Sequence, residues 1–339
     1  MSANSPKTYV ELYTDVIQRV RENISNTTVV DIAKRLINLA NQDIHIQQNW
    51  WWAERRSQVA TKGAYVIGTV ATSTSARTTV TGNGTLWNTA VPGYGWKNAN
   101  AGDKIQFGGS GDVYLIASVG SDTTLTLTDK WVGATALSAQ SYTIFSDEYS
   151  LASDFWRLRD ARQFTTAFML PCISRREFFQ RFPRNNVTSL PQVCTIIDLA
   201  PSGNTTRVPK VVLHPPPDQP YNIPYWYQTI NLALTSTGVG ATDLVGDTDE
   251  PIIPQRYRQL LVAYAVREWY RDRKDDARSN EAAAWYQDLL RRAANDSEPE
   301  RDHPKIIMRT WQYKAGVAGR LRTGHSRFTT GRRWDELRD

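Results

Sequence analysis

Cysteine is nearly absent: Cys172 and Cys194 are the only two in 339 residues. A disulfide scaffold is therefore excluded, and both thiols are expected to stay reduced in a cytoplasm. Long apolar runs are missing too. No stretch approaches the roughly eighteen residues of a membrane span, and the opening MSANSPKTYVELYTDV lacks the basic-then-apolar layout of a signal peptide. Histidine is scarce, with His45, His214, His303 and His325 as the only four. None has a carboxylate, cysteine or second histidine at metal-ligand spacing, so neither an H-E-x-x-H nor a C-x-x-C site exists. No G-x-S-x-G elbow and no Walker-type loop occur. The glycine-rich run from Gly108 to Gly111 leads into the strand-like Val113–Val119, not into a helix N-terminus, and so reads as a hairpin turn rather than a phosphate cradle. Asp247, Asp249 and Glu250 could hold a cation, but a solvated loop leading into a helix is the better reading. Cys172 has no histidine in a comparable context and reads as a small buried residue. No catalytic residue, metal or cofactor is expected, and the chain is not read as an enzyme.

An excess of charge of either sign is missing from most of the chain. Residues 301–339 hold ten Lys/Arg and four Asp/Glu, a net of +6, which equals the whole-chain balance of 40 − 34. Residues 1–300 therefore sum to zero, and the pI of about 9.2 describes a basic end segment. That segment carries Gly316, Gly319, Gly324 and Gly331 between its basic residues. Its aromatic and basic anchors are Arg309, Trp311, Tyr313, Arg320, Arg322, Arg327, Phe328, Arg332, Arg333 and Trp334. Such a segment buries too little to order itself and is expected to be extended.

Aromatic residues are plentiful, with twelve Trp and fifteen Tyr. They suit either a Trp-rich core or extensive subunit contacts, because aromatics bury large area at little rotamer cost. Along the chain, Tyr9, Leu12, Val16, Val20 and Ile24 fall at helical spacing behind a Thr8-x-x-Glu11 capping-box pattern. Asn26 and Thr27 interrupt, and Val29, Ile32, Ala33, Leu36, Ile37, Ala40 and Ile44 resume on one face. From Gly63 to Phe145 only eight residues are charged, and short alternating runs replace the helical period: YVIGTVA (65–71), RTTVTG (77–82), KIQFGG (104–109), VYLIASV (113–119), TLTLT (124–128) and SYTIF (141–145). About six strands with glycine-rich turns predict a small barrel or sandwich. Residues 146–250 mix a helical SRREFFQRF (174–182) with strand-like CTIID (194–198), KVVLH (210–214) and YNIPYWYQT (221–229). After Pro254, Tyr257, Leu260, Leu261, Tyr264, Ala265 and Trp269 share a helical face; Ser279 is expected to cap a second helix with Ala282, Trp285, Tyr286, Leu289, Leu290 and Ala293 on its face.

The expected fold is α+β. An N-terminal helical hairpin (1–62) and a C-terminal one (251–300) form one bundle, because neither can hide its apolar stripe alone. A β domain (63–145) is inserted, followed by a mixed strand and loop segment (146–250), and an extended tail (301–339) closes the chain. Two stretches are candidates for subunit or domain contact. Trp50-Trp51-Trp52 at the end of the second helix cannot place three rings on one face, since each helical step turns about 100°. At least one must point away. In HPPPDQPYNIPYWY the proline run is rigid and extended, and Tyr225, Trp226 and Tyr227 could form a docking strip.

Taken together, the hairpin ending in Trp50–Trp52 with AERRSQVAT, then TTVTGNGTLW, GDKIQFGG, VYLIASVGSDTTLTL, DEYSLASDFWRLRD, LHPPPDQPYNIPYWYQ and EPIIPQRYRQLLVAYAVREWYRDRKDD, resembles the head-to-tail adaptor (connector) proteins of tailed bacteriophages. The likeness spans 45–300 as an order and texture of segments. It implies a virion structural protein in the neck between capsid and tail, assembled in the host cytoplasm: a ring of about twelve subunits beneath the portal vertex. Its partners would be further copies of itself, the portal protein, a tail or nozzle protein below, and genomic DNA passing through the lumen, with no membrane. The tail at 301–339 would dock on the portal. Two other classes stay open on the residues alone: a nucleic-acid binder whose basic tail tracks phosphates by counterion release, and a carbohydrate-binding β module on a helical scaffold.

Overall fold

A computed structural model describes residues 7–108, 112–161, 170–183, 186–198 and 209–297. The basic tail at 301–339, with every anchor named above, lies outside the described residues. The fold is mixed α+β. Its helices are α1 (Tyr9–Arg19), α2 (Thr27–Gln47), α3 (Arg175–Arg181), α4 (Gln259–Asp272) and α5 (Asp276–Ser297), and its sheets are antiparallel. Compact units change after Ala40 and after Ile253.

The unit made from the two ends of the described chain is helical. α1 buries Tyr9, Leu12, Tyr13, Val16 and Ile17, the third-and-fourth spacing that puts one stripe on one face. It stops earlier than the apolar pattern suggests. Arg21 adopts a left-handed φ of 58°, which turns the chain, and Ile24 is left 49% exposed in the turn rather than on the helix face. Asn26 Oδ1 then accepts the Thr28 N–H at 3.1 Å and opens α2. At the front of α1 the capping box does not form: the Thr8 hydroxyl makes no capping bond, and Glu11 accepts the N–H of Lys7, one residue before the cap, at 2.6 Å. Ser279 is not the cap of α5. That helix opens a turn earlier, where Asp275 Oδ1 accepts the Arg278 N–H at 3.2 Å, and the Ser279 hydroxyl instead donates to the Arg267 carbonyl of α4 at 3.3 Å.

Helices from both ends of the sequence touch in this unit. Gln259 at the start of α4 donates to Asp15 Oδ2 of α1 at 3.3 Å, and Arg258 donates to the Lys7 carbonyl. Tyr264 of α4 meets Tyr286 of α5 edge to face, with centroids 5.6 Å apart. Tyr9 Oη donates to the Lys34 carbonyl of α2 at 2.9 Å. Glu268 is buried, and its charge is met by Arg267 and Arg271.

The second unit, residues 41–253, is built on strands. β1 (Glu54–Ala60) is followed by β2 (Thr69–Thr72), β3 (Thr79–Asn83), β4 (Lys104–Phe107), β5 (Val113–Val119), β6 (Thr124–Leu127) and β7 (Tyr142–Phe145). β2 to β7 form one six-stranded sheet in the order β2-β3-β6-β5-β4-β7. It curls into a half-barrel whose edges approach each other: Val70 and Gln140 exchange N–H···O bonds of 2.9 Å, and Tyr65 bridges Ile144. The expected run 65–71 becomes a strand only from Thr69. Gly68, at φ 89°, bends the chain where a Cβ would lie 2.6 Å from the Asn83 carbonyl, so Val66 and Ile67 stay exposed. Inside the curl, Val80, Ile105, Ile116, Leu125 and Ile144 pack around Trp87. The Trp87 indole N–H donates to Tyr142 Oη at 2.9 Å, and that hydroxyl donates to the Ile67 carbonyl at 2.5 Å.

Three further three-stranded sheets follow among the described residues, two of which share a core. β8 (Glu148–Ser150), β10 (Val193–Asp198) and β11 (Pro209–His214) pair in the order β10-β11-β8, while β9 (Phe155–Ala161) and β12 (Asn222–Thr229) join β1 in the order β1-β12-β9. Val59, Phe155, Leu170, Cys194, Leu213, Tyr225 and Tyr227 form their common core. α3, capped by the Ser174 hydroxyl, buries Phe178 against Ile197 and Val212.

Candidate interaction site

α2 stops at Gln47, so the Trp50-Trp51-Trp52 run does not end the helix; Trp51–Ala53 form a short 3-10 turn. Trp50 leaves the helix extended, at φ −82° and ψ 136°, and its indole N–H returns to the Ile44 carbonyl at 2.6 Å. One of the open carbonyls of the last helical turn is thereby satisfied. Trp50 and Trp52 are buried and stack, with centroids 4.4 Å apart and planes 16° apart. Trp51 is 43% exposed. One ring of the three points away, although the chain here is an extended residue and a 3-10 turn rather than the α-helix on which that expectation rests.

Beneath the stack lies a group that sequence reasoning missed. His45 is buried, with Nδ1 2.6 Å from the Asn41 carbonyl and Nε2 3.1 Å from the Trp52 indole nitrogen. An indole nitrogen can only donate, so Nε2 accepts and Nδ1 carries the proton. Burial lowers the His45 pKa from 6.5 to about 4, against a smaller opposing effect of the Asn41 carbonyl. The imidazole is therefore neutral at pH 7 and acts as a rigid spacer under the tryptophans. A lone histidine at a helix end gives no sequence signal for this role.

The second candidate strip divides by strand alternation. Tyr225 and Tyr227 face the core of their own unit, while Trp226 is half-buried on the opposite face. Tyr227 Oη donates to Asp154 Oδ1 at 2.6 Å, and the Thr229 hydroxyl donates to Oδ2 of the same carboxylate at 2.8 Å. Burial is the first cause raising the Tyr227 pKa, with the Asp154 hydrogen bond next. Outside, the Arg56 guanidinium sits 5.2 Å from the Trp226 ring centre and Arg157 4.9 Å from that of Trp156. Arg159 pairs with Glu54 at 3.0 Å. The outward face of β1-β12-β9 thus carries arginine and tryptophan, types enriched at protein interfaces, beside Glu54, Gln58 and Asn222.

The helical unit holds a pocket of about 570 Å³ lined by Arg19, Arg21, Tyr270, Arg278, Glu281 and Trp285, among others. Arg19 lies 4.6 Å above the Trp285 ring and pairs with Asp15 at 2.9 Å. Three guanidinium groups around one opening suit a carboxylate or phosphate. The acidic cluster before Pro251 has a local purpose instead: Asp249 Oδ2 accepts the N–H groups of Val245 at 3.0 Å and Gly246 at 2.7 Å, fixing a turn. Among the described residues no group of three or more His, Cys, Asp or Glu could hold a metal ion, and no helix is long and apolar enough to cross a membrane. Cys172 is exposed, contrary to its reading as a buried residue, because it lies on an edge segment outside the core that encloses Cys194.

The family model of the SU10 adaptor protein matches residues 122–312, more than half of the chain, from the end of the curled sheet through α4 and α5. The chain belongs to the SU10 adaptor protein family. It is therefore an adaptor-type structural protein of a phage and a virion component, as the resemblance implies at that level. No curated protein matches the chain.

Proposed function

We propose that the protein is a head-to-tail connector: a ring of about twelve copies that joins the portal vertex to the tail and lets DNA pass through its lumen. Family membership over 122–312 carries the reading. A closed ring needs two unlike flanks that complement each other, a heterologous interface. The protein offers unlike surfaces of that kind in the arginine–tryptophan face with Trp226, the exposed Trp51, and the basic pocket around Arg19 and Arg278. In this reading the two helix pairs share one bundle, the β domain at 63–145 decorates the ring, and the tail at 301–339 grips the portal. The zero net charge of residues 1–300 favours passage of DNA over a tight clamp. The chain's role is mechanical and needs no catalytic group. Mass photometry and electron microscopy of the purified protein test the reading. Rings of about a dozen chains are expected; a monomer whose DNA binding falls steeply with salt would replace the connector with a nucleic-acid binder.

A further inference from the structure

The two cysteines, 22 positions apart in a chain that has no others, meet in space. Cys172 and Cys194 form a parallel bridge: the Cys194 N–H donates to the Pro171 carbonyl at 2.9 Å, and the Ile173 N–H donates to the Cys194 carbonyl at 2.9 Å. Residues paired in this way place their side chains on the same side of neighbouring strands, about 4.8 Å apart. That spacing lies inside the Cα range that a disulfide spans. The environments of the two thiols differ sharply. Cys172 is open to solvent, while Cys194 is fully buried among Leu170, Val211, Leu213 and Tyr225.

We propose that Cys172 and Cys194 are a thiol–disulfide exchange site that takes a low-molecular-weight disulfide and closes into an intrachain cross-link tying the segment before α3 to β10. The order of events follows from exposure. The Cys172 thiolate attacks the small disulfide, forms a mixed disulfide and releases one thiol. Cys194, which the reagent cannot reach, then attacks the Cys172 sulfur and releases the second thiol. The chain loses two hydrogens and gains one S–S bond, while the oxidant is reduced to two thiols. The neighbouring Cys194 thiol lowers the Cys172 pKa, and the same proximity together with burial raises that of Cys194, so the exposed sulfur is the better first nucleophile. The cross-link would close a loop that contains α3 and restrict the unfolded chain. In a cytoplasm the pair stays reduced; in a particle released from the cell it would close. That timing rests on the virion reading, whereas the chemistry does not.

The test uses the full chain, purified without reductant and treated with oxidised glutathione. Intact mass should fall by about 2 Da with no retained glutathione, the chain should run as a monomer on a non-reducing gel, and a peptide joining Cys172 to Cys194 should appear. Dithiothreitol should reverse all three. The oxidised chain should melt a few degrees above the reduced one, a shift absent from Cys172→Ala. Cys194→Ala should instead keep a stable glutathione adduct on Cys172; if that variant does not fold, the wild-type and Cys172→Ala results decide alone. A persistent adduct on the wild type, a chain-to-chain disulfide, no reaction, or a cross-linked chain that melts no higher would each overturn the proposal. None of these outcomes bears on whether rings form.

Discussion

His45 shows how one side chain couples pH to the tryptophan stack. Its pKa is about 4 when folded, against an ordinary 6.5. A histidine with a depressed folded value binds its proton more readily in the unfolded chain. Stability from this group is therefore complete above pH 6.5, declines as pH falls through that value, and levels off below about 4. The difference of roughly 2.5 units corresponds to about 3 kcal/mol at most. Urea midpoints at pH 7.5 and pH 5 should separate in the wild type, and His45→Leu should narrow that separation even though it is less stable at neutral pH. His214, whose pKa burial also lowers, contributes in the same direction, so the comparison between variants isolates His45. An equal pH dependence in both proteins would show that the ring is not held neutral. None of this is legible in the sequence, where His45 is one histidine in an amphipathic run. The outward turn of one tryptophan follows in the sequence from an α-helical step of about 100°, whereas the run lies beyond α2 in an extended residue and a 3-10 turn.

At the scale of elements, periodicity located most helices and strands, while boundaries and partners depended on contacts it cannot show. TLTLT alternates in sequence and in burial, and Thr124–Leu127 is a strand of the curled sheet. The ends of α1, α2 and α5 shifted because a left-handed Arg21, an extended Trp50 and the Asp275 cap act one residue at a time. Strand partners were also hidden: Glu54 pairs with Gln228, and nothing in either segment names the other. The proposal that both helix pairs share one core is tested by charge. Leu36 on α2 and Leu261 on α4 are almost fully buried. An unpaired carboxylate at either site should cost several kcal/mol, about 3 or more. Leu36→Asp and Leu261→Asp should each lower the melting temperature of the helical signal by ten degrees or so. Wild-type melting by either variant would mean that the two pairs do not share a core.

At the scale of the whole molecule, the β domain and the tail are the two parts whose removal separates folding from assembly. The curled sheet has a core of its own, and Tyr65 bridges Ile144, so its two ends lie close enough for a short linker. Among the described residues three ion pairs still connect it to its surroundings: Lys62 to Asp103 at 2.5 Å, buried, and Lys104 to Asp147 at 2.7 Å and to Glu148 at 3.8 Å. Replacing 64–145 with a Gly/Ser linker, with Lys62→Met and Asp147→Asn to avoid stranding buried charges, should leave helical circular dichroism largely intact; its complete loss would make the sheet part of the core. The tail makes the sharper distinction, because residues 301–339 carry the whole net charge of +6. Fully extended they could reach roughly 130 Å, at about 3.3 Å per residue, enough to cross neighbouring subunits of a partner ring. Arg320, Arg322, Arg332 and Arg333 would pair with carboxylates on the portal through forked hydrogen bonds, Trp311 and Trp334 would supply contact area, and repetition around a ring would turn weak single contacts into high avidity. The same arginines could instead hold DNA phosphates, and deletion after Glu300 tells the two apart. If the tail grips the portal, the truncated protein keeps its wild-type melting temperature and ring size but no longer joins DNA-filled heads, as sedimentation of heads with bound adaptor would show. Truncated protein that assembles normally on portals and loses only its DNA affinity would end the docking proposal.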